Sequence, residues 1–213
     1  MTDATPVMEC ILSRRSVRRF TADAVPEDAL REMVRAACAG PRGGGADLTR
    51  FIAVRAPETI SAMREAVEAR VAALREHVKS ARARERFDGY AAHFALFGGA
   101  PAVVAVLARP YDSIYTRIVS KYVPEDERPG QDLVDVASMT AAAAVENMLL
   151  AAHALGYGAC FMTGPTVAQA GIEAVLGVEA PWRVVALVPV GRPAEPPAPR
   201  DEPALDEMLT FDP

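Results

Sequence analysis

The chain of 213 residues reads as a single domain that mixes helices with short buried strands. Three observations predict this class. Apolar residues recur at helical spacing over long stretches, notably 59–86 and 132–155. Between such stretches stand valine-rich runs at 102–108 and 182–190, suited to buried strands. No internal repeat and no separate linker divides the chain. A hydrophobic fraction of 51% against 24% charged residues suffices for a sizeable core.

Taken in order, residues 6–13 predict a short helix with Val7, Cys10 and Ile11 on one stripe. It leads into Arg14-Arg15-Ser16-Val17-Arg18-Arg19-Phe20, with four arginines and a serine inside six positions. In an extended segment Arg14, Ser16 and Arg18 point one way, and Arg15, Val17 and Arg19 the other. The first face offers two guanidinium forks and a hydroxyl, chemistry suited to a phosphate monoester because Arg matches phosphate oxygens bidentately and stays charged. A solvated basic edge is the other reading, and this stretch alone does not choose between them.

After a turn at 21–25, Pro26 opens a helix with Glu27 and Asp28 in its first turn. Leu30, Met33, Val34 and Ala37 form its apolar stripe, and it stops near Ala39-Gly40-Pro41. The loop Gly40-Pro41-Arg42-Gly43-Gly44-Gly45-Ala46-Asp47 follows. Its three consecutive glycines either let a flat ligand approach the main chain or simply make a flexible loop. Residues 50–54 read as a strand. The pattern 59–86 reads as one long helix whose basic end, 79–86, is a solvated face. Tyr90, Phe94 and Phe97 belong to a stretch that either covers a pocket or packs in the core.

Gly98-Gly99-Ala100-Pro101 breaks the chain before the strand at 102–108, and a short helix is expected around 113–120. The helix 132–155 is apolar nearly all round, hence central. Val136, Met139, Thr140, Ala143, Asn147, Leu150 and Ala151 are expected on one face, with Asn147 and His153 as satisfied polar groups and Gly156 as C-cap. A strand at 157–162, a turn at 163–166, a helix at 168–176 and a strand at 182–190 complete the core. Six prolines then punctuate 192–213, a tail that is either disordered or an arm anchored by Leu205, Met208, Leu209 and Phe211.

Several function classes are excluded by composition. A net charge of -5 argues against nucleic acid as a main partner and makes the basic cluster local. The 3 cysteines, Cys10, Cys38 and Cys160, include no C-x-x-C and read as reduced thiols of a cytoplasmic protein. The 3 histidines are scattered, so no metal site is expected. No apolar signal core opens the chain, and no window approaches a membrane span.

Together these segments resemble the nitroreductase family of FMN-dependent oxidoreductases. Arg14-Arg15-Ser16-Val17-Arg18-Arg19-Phe20 resembles the family's R-R-S-x-R opening. The run from Asn147 to Gly158 resembles its N-x-x-L-A-A-x-x-L-G-x-G segment. Val25-Pro26, Ala100-Pro101 with its strand, and Pro189-Val190-Gly191-Arg192-Pro193 with Arg200 match in order, whereas residues 58–97 match poorly.

The resemblance implies an α+β three-layer sandwich with a central, mostly antiparallel sheet flanked by helices. It implies one domain over 1–213, with 59–97 as a variable helical excursion and 192–213 as an extended arm of an intertwined homodimer. Residue by residue, it implies that Arg14, Ser16, Arg18 and Arg200, with Arg15 in the same motif, bind the FMN phosphate and ribityl end. Backbone N–H groups at Thr163 and Gly164 would meet the flavin near N5 and O4. Pro41, Arg42, Gly43 and Gly45 would cross from the other subunit to the ring. The implied activity is ping-pong transfer of electrons from NAD(P)H through FMN to a nitroaromatic, quinone or enone, with no catalytic side chain and no metal. Cys160 is expected to be a buried strand thiol, and Tyr90, Phe94, Tyr115 and Tyr122 are candidates for the acceptor pocket.

One departure stands out. Where the family has P-S-x-x-N followed by Q-P-W, this chain has Gly45 without a side-chain amide and Thr49 in place of tryptophan. That leaves two alternatives open: a same-fold enzyme of other chemistry (peptide oxidation, flavin cleavage or deazaflavin-related), or a flavin-binding protein without turnover.

Overall fold

The structure, a computed structural model, describes residues 5–43, 47–128, 135–199 and 204–211. Its frame is a four-stranded antiparallel sheet in the order β1 (Thr49–Val54), β2 (Ala102–Ala108), β4 (Arg183–Gly191) and β3 (Gly158–Ala159). Strand β2 is buried along its whole length, as its unbroken run of apolar residues requires. Val54 faces Val103 on one side of it, and Val104 faces Val188 on the other.

Helices cover both faces. On one side α2 (Glu27–Cys38) and α6 (Val136–Ala154) pack on Val104, Val106, Ala186, Val188 and Val190. On the other, α3 (Pro57–His77) and α7 (Gln169–Leu176) enclose Val103, Ala105, Leu107, Val184 and Leu187. A bulge explains how both Val184 and Leu187 reach the second side. The register shifts between Val106 and Leu107, which leaves Val185 as the extra residue and inverts the alternation beyond it. The chain is thus the expected three-layer α+β sandwich.

Differences from expectation have local causes. The stretch 59–86 is two helices rather than one: α3 ends at His77, and α4 (Ala81–Ala91) starts after Val78 takes an extended conformation. Ser80 caps α4 by accepting from Ala83 N–H at 3.4 Å, a competing local bond that helical periodicity does not register. Arg75 and Asp88 then clamp α4 back onto α3 through two hydrogen bonds of 2.7 and 2.9 Å.

In α6 the buried side is Ala137, Thr140, Ala141, Ala144, Val145, Met148, Leu149 and Ala152, while Met139 is 60% exposed. The expected face is therefore rotated, because a helix apolar all round carries no pattern to say which side meets the sheet. The helix start predicted at 132 lies outside the described residues; Asp135 caps α6 by accepting from Ala137 and Ser138 N–H. Strand β3 is shorter than 157–162, and Met162 returns to the sheet only as an isolated bridge to Leu187. Phe97 is fully buried, in line with the core reading, whereas Tyr90 is exposed and meets Phe94 edge-on.

The polar groups of α6 are satisfied as predicted: Asn147 Nδ2 donates to Ala36 O and so ties α6 to α2. Gly156, with φ +78°, ends the helix. A short helix α5 (Ile114–Tyr122) lies between β2 and α6, and α8 (Leu205–Met208) lies in the tail. Among the described residues no helix is long and apolar enough to cross a membrane.

Candidate functional site

Helix α1 (Pro6–Ser13) delivers the arginine stretch to the β3 edge of the sheet. Arg14 leaves the helix in an extended conformation, ψ 137°. Ser16 then bridges to Ala159, and Val17 N–H donates to Ala159 O at 3.0 Å. Val17 is buried against Gly158, where a Cβ would stand 2.6 Å from the Val17 Cβ. Burying Val17 turns Ser16 and Arg18 outward, as the alternation predicts, and both are exposed.

Arg15 turns elsewhere: its Nη1 donates to the carbonyls of Leu12 and Arg14, closing the end of α1. Arg14 is held by Glu146, its Nε and Nη2 donating to the two carboxylate oxygens at 3.2 and 3.3 Å. The Cys160 thiol sits beneath these residues. Burial pushes its pKa up, against the opposing pull of Arg18, Ser16 and Arg14, so it stays a thiol.

A groove of about 180 Å³ opens along this face, lined by Ser16, Arg18 and Arg19 on one side and by Glu195, Pro197 and Ala198 on the other. The tail is laid there by Thr21 N–H donating to Arg192 O and Ala194 N–H donating to Arg19 O. Arg200 lies outside the described residues, two positions beyond Ala198.

Thr163 and Gly164 follow on the same edge, within about 13 Å of extended chain from Ala159. Their N–H groups donate to no acceptor among the described residues. Gly164 opens a 3-10 turn, and a Cβ there would stand 2.4 Å from the Phe94 ring. Two free donors on an exposed turn form an anion-stabilising pair without any special side chain.

The loop lies apart. Pro41 and Arg42 are exposed, and Arg42 pairs with Asp47 at 3.1 Å. Gly43 packs on the N-terminal half of α6: its N–H donates to Thr140 Oγ1, and a Cβ would stand 2.3 Å from Val136 Cγ1. Close helix approach therefore accounts for this glycine. The arginine face meets the C-terminal half of α6, and no described contact joins it to the loop within one protomer. Gly45 lies outside the described residues.

Two partners of the site were not read from the sequence. Glu146 is the one acidic residue among positions 136–154, and that isolation is the signal the sequence offers. Ser13 Oγ lies 2.6 Å from Glu9 O and 2.8 Å from His153 Nε2. The carbonyl only accepts, so the hydroxyl proton goes to it and the imidazole donates; Ser13 is not an activated nucleophile.

Known proteins fit this frame. The model of the nitroreductase family matches residues 11–192. A curated relative, an NADH dehydrogenase of Thermus thermophilus, is 41% identical over 69 residues, 31% of this chain and 34% of its own length. The match thus spans about a third of that relative. Among solved structures, a BluB-like flavoprotein from Clostridium difficile superposes with a TM-score of 0.89 at 23% identity, covering 99% of this chain and 100% of its own. A nitroreductase with bound FMN from Bacteroides fragilis gives 0.72 at 24% identity, covering 99% and 100%. The NADPH:FMN oxidoreductase of Vibrio harveyi, complexed with NAD+, gives 0.67 at 18% identity, covering 98% and 78%.

Proposed function

The chain belongs to the nitroreductase family, and on that premise we propose that it is an FMN-dependent oxidoreductase. The observation that carries this reading is the outward turn of Ser16 and Arg18 into an open groove, next to the mostly buried Arg14, with the free N–H groups of Thr163 and Gly164 on the same sheet edge. FMN held there would supply the redox chemistry between NAD(P)H and a quinone, nitroaromatic or enone acceptor, in ping-pong order.

The chain's own part is to bind and orient. Arg14 and Arg18 bring guanidinium donors to a phosphate that carries close to two negative charges at neutral pH. Glu146 engages only Nε and Nη2 of Arg14, which leaves Nη1 for the ligand. Ser16 adds a hydroxyl between them. The Thr163 and Gly164 amides steady negative charge at the ring end. Arg200 reaches the same phosphate on this reading, and Arg15 acts through the end of α1.

The same reading treats 1–213 as one domain, with 59–97 as a variable helical excursion and 192–213 as an arm laid on a second copy. Exposed apolar residues support that homodimer: Val7, Met8 and Leu12 on α1, and Leu205, Met208 and Phe211 in the tail. Pro41, Arg42, Gly43 and Gly45 then face the partner's ring.

The test is a visible absorption spectrum of the purified protein before and after anaerobic NADH, then NADPH. Flavin bands that bleach are expected. Bands that persist point to the same-fold alternatives, and no FMN uptake overturns the reading. Arg14→Ala and Arg18→Ala are each expected to weaken FMN at least tenfold while leaving riboflavin binding unchanged, as loss of charge-assisted phosphate bonds requires.

A further inference from the structure

Three contacts on one face of α6 hold the segment that carries the arginines. Glu146, Leu150 and His153 stand four and three residues apart, so they share that face. Leu150 O accepts from the Cys10 thiol at 3.5 Å, His153 meets Ser13 at 2.8 Å, and Glu146 takes Arg14. The first two tie down α1, and the bond from Val17 N–H to Ala159 O ties down the chain beyond Arg14. The backbone at Arg14 is thus fixed from both sides without Glu146. What Glu146 alone fixes, among the described residues, is the direction of the side chain.

Its grip leaves a defined remainder. The two carboxylate oxygens accept from Nε at 3.2 Å and from Nη2 at 3.3 Å, which takes the Nε edge of the fork. The end edge, one N–H each of Nη1 and Nη2, meets no acceptor among the described residues, and it suits two oxygens of one phosphate. The Arg14 side chain is 15% exposed and needs a counter-charge, which Glu146 supplies while itself 45% exposed. Water therefore screens the carboxylate from an incoming phosphate, whereas the guanidinium keeps its direction. A long side chain already held in its bound direction spares binding the cost of ordering it.

We propose that Glu146 is the positioning residue of the phosphate site: by holding Arg14 through its Nε edge it aims the end edge at the FMN phosphate, and so sets the preference for FMN over riboflavin. That the anion is the FMN phosphate rests on the reading given under Proposed function; that Glu146 directs the side chain rests on the contacts above.

The test titrates FMN and riboflavin in parallel into the full-length protein freed of flavin, followed by quenching of flavin fluorescence. The readout is the riboflavin Kd divided by the FMN Kd. In Glu146→Ala this preference is expected to fall about threefold to tenfold through weaker FMN, with riboflavin unchanged. Glu146→Gln, which keeps one acceptor, should recover part of it, and Glu146→Ala added to Arg14→Ala should lower it no further. With a preference that does fall in Arg14→Ala, a Glu146→Ala value equal to or above wild type, or FMN and riboflavin weakened together, overturns the role of Glu146 alone. An unchanged preference in Arg14→Ala, or no flavin uptake, overturns the phosphate reading itself and the role of Glu146 with it.

Discussion

A methyl group at position 158 meets Val17 head-on. In Gly158→Ala the new Cβ would stand 2.6 Å from both Cβ and Cγ2 of Val17 and 2.8 Å from Cγ1. Carbon atoms rest at about 3.5–4.0 Å, so roughly 1 Å must be opened. A rotamer change moves the Cγ atoms but not Cβ, which is fixed to the backbone. The segment 16–18 therefore has to lift from β3. Lifting it by that much breaks the 3.0 Å bond from Val17 N–H to Ala159 O, a loss of about 1 kcal/mol. Overpacking of a buried site adds about 1–3 kcal/mol.

The sum, about 2–4 kcal/mol, corresponds to a fall in Tm of roughly 5–15 °C for a chain of this size. Thermal unfolding followed by far-UV circular dichroism measures it. FMN affinity falls in the same variant, because Ser16 and Arg18 ride on the displaced segment. Val17→Gly removes the opposing Cβ, so the double variant should be less destabilised than the two single changes added together. A Gly158→Ala protein within 0.5 kcal/mol of wild type, with unchanged FMN affinity, would refute the claim that this contact aims the arginine face.

Other consequences follow from single groups. Asp135 is held below the usual carboxylate range by the Ser138 hydroxyl first, then by the Ser138 N–H and Arg183. A depressed folded-state pKa gives stability that is present above the unfolded value of about 3.9 and lost as pH falls through the folded value. Asp135→Ala should therefore cost about 0.5–2 kcal/mol at neutral pH, and its denaturation midpoint should converge with wild type in acid. Among the thiols, exposed Cys38 should react first with a disulfide reagent and half-buried Cys10 later. Cys160, buried and with its pKa raised, should react only on unfolding; fast labelling of Cys160 in the native protein would contradict the site geometry.

Much of the frame was written locally. The outward turn of Ser16 and Arg18 beside buried Val17, the unbroken apolar run of β2, the stripe of α2 and the Gly156 stop each depend on residues a few positions apart, and each appears where the pattern places it, whereas Arg19, expected on the Val17 side, is exposed in the groove of Ser16 and Arg18. The long helical pattern 59–86 failed for an equally local reason: Ser80 offers the backbone a cap that periodicity does not count.

Other features depended on residues distant in sequence. Arg14 meets Glu146 across 132 positions, and Gly43 meets Thr140 across 97. Which side of α6 faces the sheet was decided by packing, since apolar residues on every side leave hydropathy silent. The sequence by itself determined most of the elements, the outward turn of Ser16 and Arg18 and the family, because backbone propensity and side-chain alternation are short-range properties. Tertiary structure alone decided the Glu146 partner of Arg14 and the side of α6 that meets the sheet, because each arises where separate elements meet.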